Sequence, residues 1–170
     1  MNLFRKSQTR LGTYRNGGFT LVELTFCILL LGIIAVVATP KYFASLDRYR
    51  VEMAVKRLAN DLRLAQRSAR QTNSTQTIRF TRTDSTYSID AIKSIDRPSA
   101  AYTVQLTDAP YQVQMVGLVD STQPTASPAS ITVAFSRFGS PDRGATITLQ
   151  SGKRSQQVQV DASSGNVTIQ

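Results

Sequence analysis

Two side chains in the apolar run Phe19–Ala38 are capable of chemistry, Glu23 and Cys27, and one backbone bond beside them is built for attack. A carboxylate near the end of a membrane-spanning helix costs about 2–3 kcal/mol, so Glu23 needs a purpose. Cleavage after Gly18 would lower that cost. It would set a new α-amino group four residues from Glu23, in a first turn whose helix dipole also favours negative charge. Gly18 suits such a cut because a residue without a side chain lets an extended backbone enter an active site. Cys27 is the single cysteine, so no intramolecular disulfide can form, and it reads as a small apolar helix residue.

Enzymatic chemistry fails on inventory. The chain has no His, which removes Ser-His and Cys-His nucleophiles, imidazole metal ligands and the usual general base at neutral pH. Asp84, Asp90, Asp96, Asp108, Asp120, Asp142 and Asp161 are scattered over turns and strand edges, with no spacing that pairs two carboxylates for acid–base work. No phosphate-loop or dinucleotide fingerprint is present, and no cofactor is implied. Asp161 and Asn166, around Ser163, Ser164 and Gly165, read as turn formers rather than a metal loop.

These residues need a helix that crosses a bilayer. Phe19–Ala38 contains 20 residues, of which Thr20, Glu23 and Thr25 are clearly polar. As a helix it is roughly 30 Å long, enough for a hydrocarbon core. Arg5, Lys6, Arg10 and Arg15 precede it without an acid, so residues 1–18 stay cytoplasmic and the chain after Pro40 is exported. A secretory signal cut after Val36-Val37-Ala38 and a plain uncut anchor are the competing readings, and neither uses Glu23.

The stretch Gly18-Phe19-Thr20-Leu21-Val22-Glu23 resembles the processing site of type IV pilins and of the pseudopilins of type II secretion, and the match runs on through Gly32 to Pro40. The resemblance implies that a prepilin peptidase cuts between Gly18 and Phe19 and N-methylates Phe19. It implies that Glu23 neutralises a neighbouring subunit's N-terminal amine and sets register in a filament. Gly32 and Pro40 then fall where the helix kinks. The implied partners are other pilins or pseudopilins through this helix, the peptidase, and an inner-membrane assembly platform. The expected location is the bacterial inner membrane, single-pass, and then the filament.

Beyond Pro40 the apolar positions Val51, Val55, Leu58, Leu62, Ala65 and Ala69 recur at helical spacing, with Arg48, Glu52, Lys56, Arg63, Arg67 and Arg70 off the stripe. Pro40 should bend or loosen the helix, and Gln71-Thr72-Asn73-Ser74 should stop it. Residues 19–72 would then form one helix about 80 Å long. From Ser74 the period becomes two. A hairpin is expected over Thr77–Thr81 and Tyr87–Ala91, with further strands at Tyr102–Leu106, Tyr111–Met115, Ile131–Phe135, Ile147–Leu149, Val158–Val160 and Val167–Ile169. Gln123–Ser130 is a loop on composition.

The fold expected is α+β: a long N-terminal helix, transmembrane half plus amphipathic half, packed on a C-terminal antiparallel β-sheet domain, the pilin fold. The parts are a cleaved leader (1–18), a transmembrane and filament-core helix (19–40), its amphipathic continuation (41–72) and the β domain (73–170). Whether the strands form one sheet or two stays open. Leu62, Ala65–Ala69, the strand starting near Thr77, Phe135-Ser136-Arg137-Phe138-Gly139, and the closing Val158-Gln159-Val160 and Gly165-Asn166-Val167 resemble the GspH/FimT group of minor pseudopilins and pilins. Residues 93–130 carry no such likeness. The lack of a C-terminal Cys pair favours a minor pilin or a pseudopilin.

The net charge of +9 is uneven. It sits in the leader and in residues 41–72, while residues 73–170 hold eight basic against seven acidic side chains. The basic helix face is a solvated surface that meets acidic neighbours in a filament, or a footprint for DNA. For DNA the candidates are Arg63, Arg67, Arg70, Arg137, Arg143, Lys153 and Arg154. Against DNA, few aromatics are interleaved with them to stack bases. Lys41 and Arg48, nearest the membrane, are candidates for anionic headgroups.

Overall fold

The structure, a computed structural model, describes residues 18–93, 101–122 and 127–170. The basic leader through Gly17 lies outside the described residues, as do residues 94–100 with Asp96, and residues 123–126, the first half of the Gln123–Ser130 loop. Helix α1 spans Leu21–Gln71 and is followed by eight strands: β1 (Gln76–Thr81), β2 (Thr86–Lys93), β3 (Ala101–Gln105), β4 (Gln114–Asp120), β5 (Ser130–Phe135), β6 (Ala145–Ser151), β7 (Arg154–Val160) and β8 (Val167–Ile169). By internal packing the described residues divide into two units between Thr39 and Pro40.

In the first unit, every large apolar side chain from Phe19 to Val37 is more than half exposed. A helix apolar all round and unburied is long and apolar enough to cross a membrane. Its threonines are satisfied locally: Thr25 Oγ1 donates to Val22 O at 2.7 Å and Thr39 Oγ1 to Ala35 O at 2.7 Å. That removes two of the polar costs of a lipid environment. The helix passes through Pro40 without a break.

In the second unit, the stripe Val51, Val55, Leu58, Leu62, Ala65 and Ala69 is buried to 1% exposure or less, joined by Ala54 and Ala59. The strands form two four-stranded antiparallel sheets, in the orders β3-β2-β1-β5 and β4-β6-β7-β8. Alternation puts Ile78, Phe80, Tyr87, Ile89, Val133 and Phe135 of one sheet, and Ile147, Leu149, Val158 and Val160 of the other, into one core with the helix stripe. The expected hairpin β1–β2 forms, with Phe80 opposite Tyr87 and Ile78 opposite Ile89.

One expected strand starts late. Tyr111 and Val113 precede β4, because Tyr111 N and Gln112 N both bond to Asp108 O and Gln112 takes φ 51°, which makes a turn. Val113 is nonetheless buried and donates to Leu106 O at 2.9 Å.

Candidate functional site

The non-helical stretch Gly18-Phe19-Thr20 leads directly into α1. Thr20 is the cap: its carbonyl accepts the Leu24 N–H at 3.1 Å, and its Oγ1 accepts the Glu23 N–H at 3.2 Å. This is one arm of a capping box, Thr-x-x-Glu, which places Glu23 at the third helical position. Glu23 is the acid of the first turn, where the dipole favours its charge. Its carboxylate accepts no hydrogen bond among the described residues. One residue, Phe19, separates the Gly18–Phe19 bond from the cap, and the bond lies in backbone that the helix does not enclose. The threonine signal is legible in sequence as a capping box, and the motif reading passes over it.

The remaining candidates fall into two separate groups. At the end of α1, Arg70 Nε donates to Phe138 O at 3.1 Å, and Arg137 stacks over the Phe138 ring with its guanidinium carbon 4.9 Å from the centroid. Phe138 is 70% exposed and Arg67 stands exposed one turn before Arg70. At the other end, Ser151 Oγ donates to Asp47 Oδ1 at 2.9 Å, which seats the β6–β7 turn, and with it Lys153 and Arg154, near residue 47. Twenty-three residues of helix separate Asp47 from Arg70, about 35 Å. The seven residues proposed for DNA therefore do not form one surface.

Two of the seven have other work. Arg63 Nη2 donates to Val167 O at 2.9 Å, capping the edge of β8. Arg143 pairs with Asp120 at 2.9 Å and Asp142 at 3.0 Å, and both contacts raise its pKa. Burial pushes the Asp120 carboxyl up, but hydrogen bonds from the Thr122 N–H, from Arg143 and from the Thr122 hydroxyl outweigh it, and the net shift is down. A guanidinium held by two carboxylates has little charge left for a phosphate.

The most developed polar cluster was not visible as such in the sequence. Asp61, 6% exposed, accepts the Tyr87 hydroxyl at 2.6 Å, the Tyr102 hydroxyl at 3.0 Å and Arg57 Nε at 3.0 Å. Arg57 also donates to the Tyr102 hydroxyl. Burial, then the Asp61 charge, pushes the Tyr87 phenol well above its usual range. Asp61 falls on the apolar face, three residues after Leu58 and four before Ala65, and that position is the available signal. The cluster ties α1 to β2 and β3 and has no free acid or base to offer a substrate.

Asp161 Oδ1 accepts the backbone N–H and hydroxyl groups of both Ser163 and Ser164 at 2.6–3.0 Å, which makes it a turn former and depresses its pKa. Gln66, in the Ala65–Ala69 stretch, donates to Gly139 O at 2.8 Å and Gly165 O at 3.2 Å. The helix thus holds both turns that flank the C-terminal strands.

The prokaryotic N-terminal methylation motif matches the sequence over residues 13–39. A crystal structure of the type IV minor pilin FimU from Pseudomonas aeruginosa superposes with a TM-score of 0.50 at 14% identity, covering 72% of this chain and 90% of that one. The fold is a pilin fold. A second crystal form of FimU gives a TM-score of 0.47 at 13% identity, over 70% of this chain and 91% of the other. No curated protein matches the sequence. Pilins are structural rather than enzymatic subunits, and this pilin-like chain joins their fold to a methylation motif over residues 13–39.

Proposed function

We propose that the chain is a minor, filament-building subunit of the inner membrane. A prepilin peptidase cuts between Gly18 and Phe19 and methylates the Phe19 amine, and Phe19–Ala38 holds the subunit in the bilayer until it is lifted into a filament. One observation carries this reading: the methylation motif runs straight into an unburied apolar helix whose first turn holds Glu23. Lipid supplies little drive for apolar helices to associate, so the Glu23 carboxylate acts on register by meeting a neighbour's amine. Gly32 and Pro40 give the span its points of bending.

Within that class the first choice is a minor pseudopilin of type II secretion, of the GspH/FimT kind. The near-neutral charge of residues 73–170 supports it, since eight basic against seven acidic side chains give that half little net attraction for a polyanion. Glu23→Ala tests the assembly role: the variant should insert and be processed yet enter filaments poorly. Unchanged incorporation would remove the register role.

The second reading is a minor pilin of a type IV pilus that holds DNA. The Phe138 patch favours it, because an exposed ring beside Arg137, on a turn bonded by Arg70, supplies the stacking surface that a basic helix lacks. Phe138→Ala should then cost about 1–3 kcal/mol of single-strand binding, with strong salt dependence. Loss of protein secretion without loss of DNA uptake, in a strain deleted for this gene, would select the first reading.

A further inference from the structure

The basic group at the Asp47 end lines clefts, and Arg48 follows Pro40, the end of the apolar run, by eight residues of helix. Arg48 lines two adjoining clefts, one of about 200 Å³ with Glu52, Lys56 and Gln156, the other of about 140 Å³ with Arg154, Ser155 and Gln156. The local acids are engaged. Glu52 is bonded by Lys56 at 2.6 Å, and Asp47 takes the Ser151 hydroxyl and lies 3.9 Å from Arg50. Arg48, Lys153 and Arg154 have no acidic partner within 4 Å among the described residues. Gln156 lines both clefts, and its Oε1 is buried and receives no hydrogen bond from a described residue. Such an acceptor calls for a donor.

We propose that Arg48, Arg154 and Gln156 bind the headgroup of an anionic phospholipid, in the leaflet from which residue 40 onward emerges. The inference rests on the membrane-anchored reading above. Two guanidiniums suit the oxygens of a phosphodiester, and Gln156 lines both clefts beside them. The reach is set by chain length: from Pro40 to Arg48 the helix rises about 12 Å, comparable with the headgroup layer plus one side chain. Attraction between basic residues and an anionic surface acts over about a Debye length, so the location and the charge agree. In this account the site steadies the exported domain against the membrane before assembly, and extraction into a filament releases it.

Native mass spectrometry of the full chain in detergent, incubated with equal amounts of phosphatidylglycerol and phosphatidylcholine, tests this. Retention should favour phosphatidylglycerol by roughly tenfold. The double substitution Arg48→Gln, Arg154→Gln should abolish the preference, and Arg67→Gln, Arg137→Gln at the far end should leave it intact. Equal retention of the two lipids, or a preference that survives the first double substitution, overturns the proposal. If inorganic phosphate binds as tightly as the lipid and through the same arginines, the cleft is a free-phosphate site and the lipid assignment falls. Alkaline carbonate that releases the chain from membranes would remove the anchored reading itself. A chain that stays in the membrane without a lipid preference removes this inference alone.

Discussion

The Glu23 N–H donates to Thr20 Oγ1 at 3.2 Å, so the motif's acid and the helix start are set by one threonine. A Thr20→Val variant keeps the shape and loses the acceptor. An N-cap of this type contributes about 1 kcal/mol, and exchange of the Val22–Leu24 amides should speed up about fivefold in detergent micelles. Thr20→Ser should restore protection. Equal exchange in all three chains would mean that Thr20 is not the cap.

Asp61 joins α1 to β2 and β3 through two phenols and a guanidinium. Tyr87→Phe leaves the carboxylate two donors and should cost about 1–2 kcal/mol in thermal or denaturant unfolding. Asp61→Ala removes the acceptor of both hydroxyls and of Arg57 Nε, leaving the buried Tyr87 hydroxyl without a partner, and should cost about 3 kcal/mol. A smaller loss in Asp61→Ala than in Tyr87→Phe would contradict the geometry.

The same phenol predicts alkaline lability. The folded pKa of Tyr87 is raised above the unfolded value of about 10, so its contribution to stability is complete below that pH and falls as the pH rises toward the folded value. Tyr87→Phe should flatten the stability curve above pH of about 10. Asp120 has the opposite sign. Its lowered folded pKa gives stability that is present above pH of about 4 and is lost as the pH falls through the folded value. Asp120→Asn should reduce the acid dependence.

Gly139 has φ 82°, and a Cβ there would lie 2.1 Å from Arg70 Nε. Gly139→Ala should cost about 1–3 kcal/mol, from backbone strain and from loss of the Arg70–Phe138 bond. Under the DNA reading it should also weaken binding at the Phe138 patch. A variant as stable as the parent would show that Arg70 has no fixed place against this turn.

Periodicity was enough to read the helix stripe from Val51 to Ala69 and most of the strands, because burial on one face imposes a repeat that short-range spacing records. It could not read contacts that join distant residues. Tyr87 and Tyr102 look like ordinary strand aromatics until the sheet brings them to Asp61. Arg63 and Arg143 looked free as charges in a list, yet one caps a strand edge and the other serves two carboxylates. Lys153 and Arg154 were grouped with Arg70 by charge alone, and the β6–β7 turn carries them to the other end of the helix. The motif at Gly18 to Glu23 was legible throughout, since local sequence is what a processing enzyme reads.

The intact mass of the chain purified from membranes tests the central claim most directly. The account predicts a mature protein that begins at Phe19, lacks residues 1–18 and carries one methyl group on its amine, and it predicts that Gly18→Ala leaves the full precursor. A mature chain beginning after Ala38, a chain that keeps its leader, or normal cleavage in Gly18→Ala would contradict it.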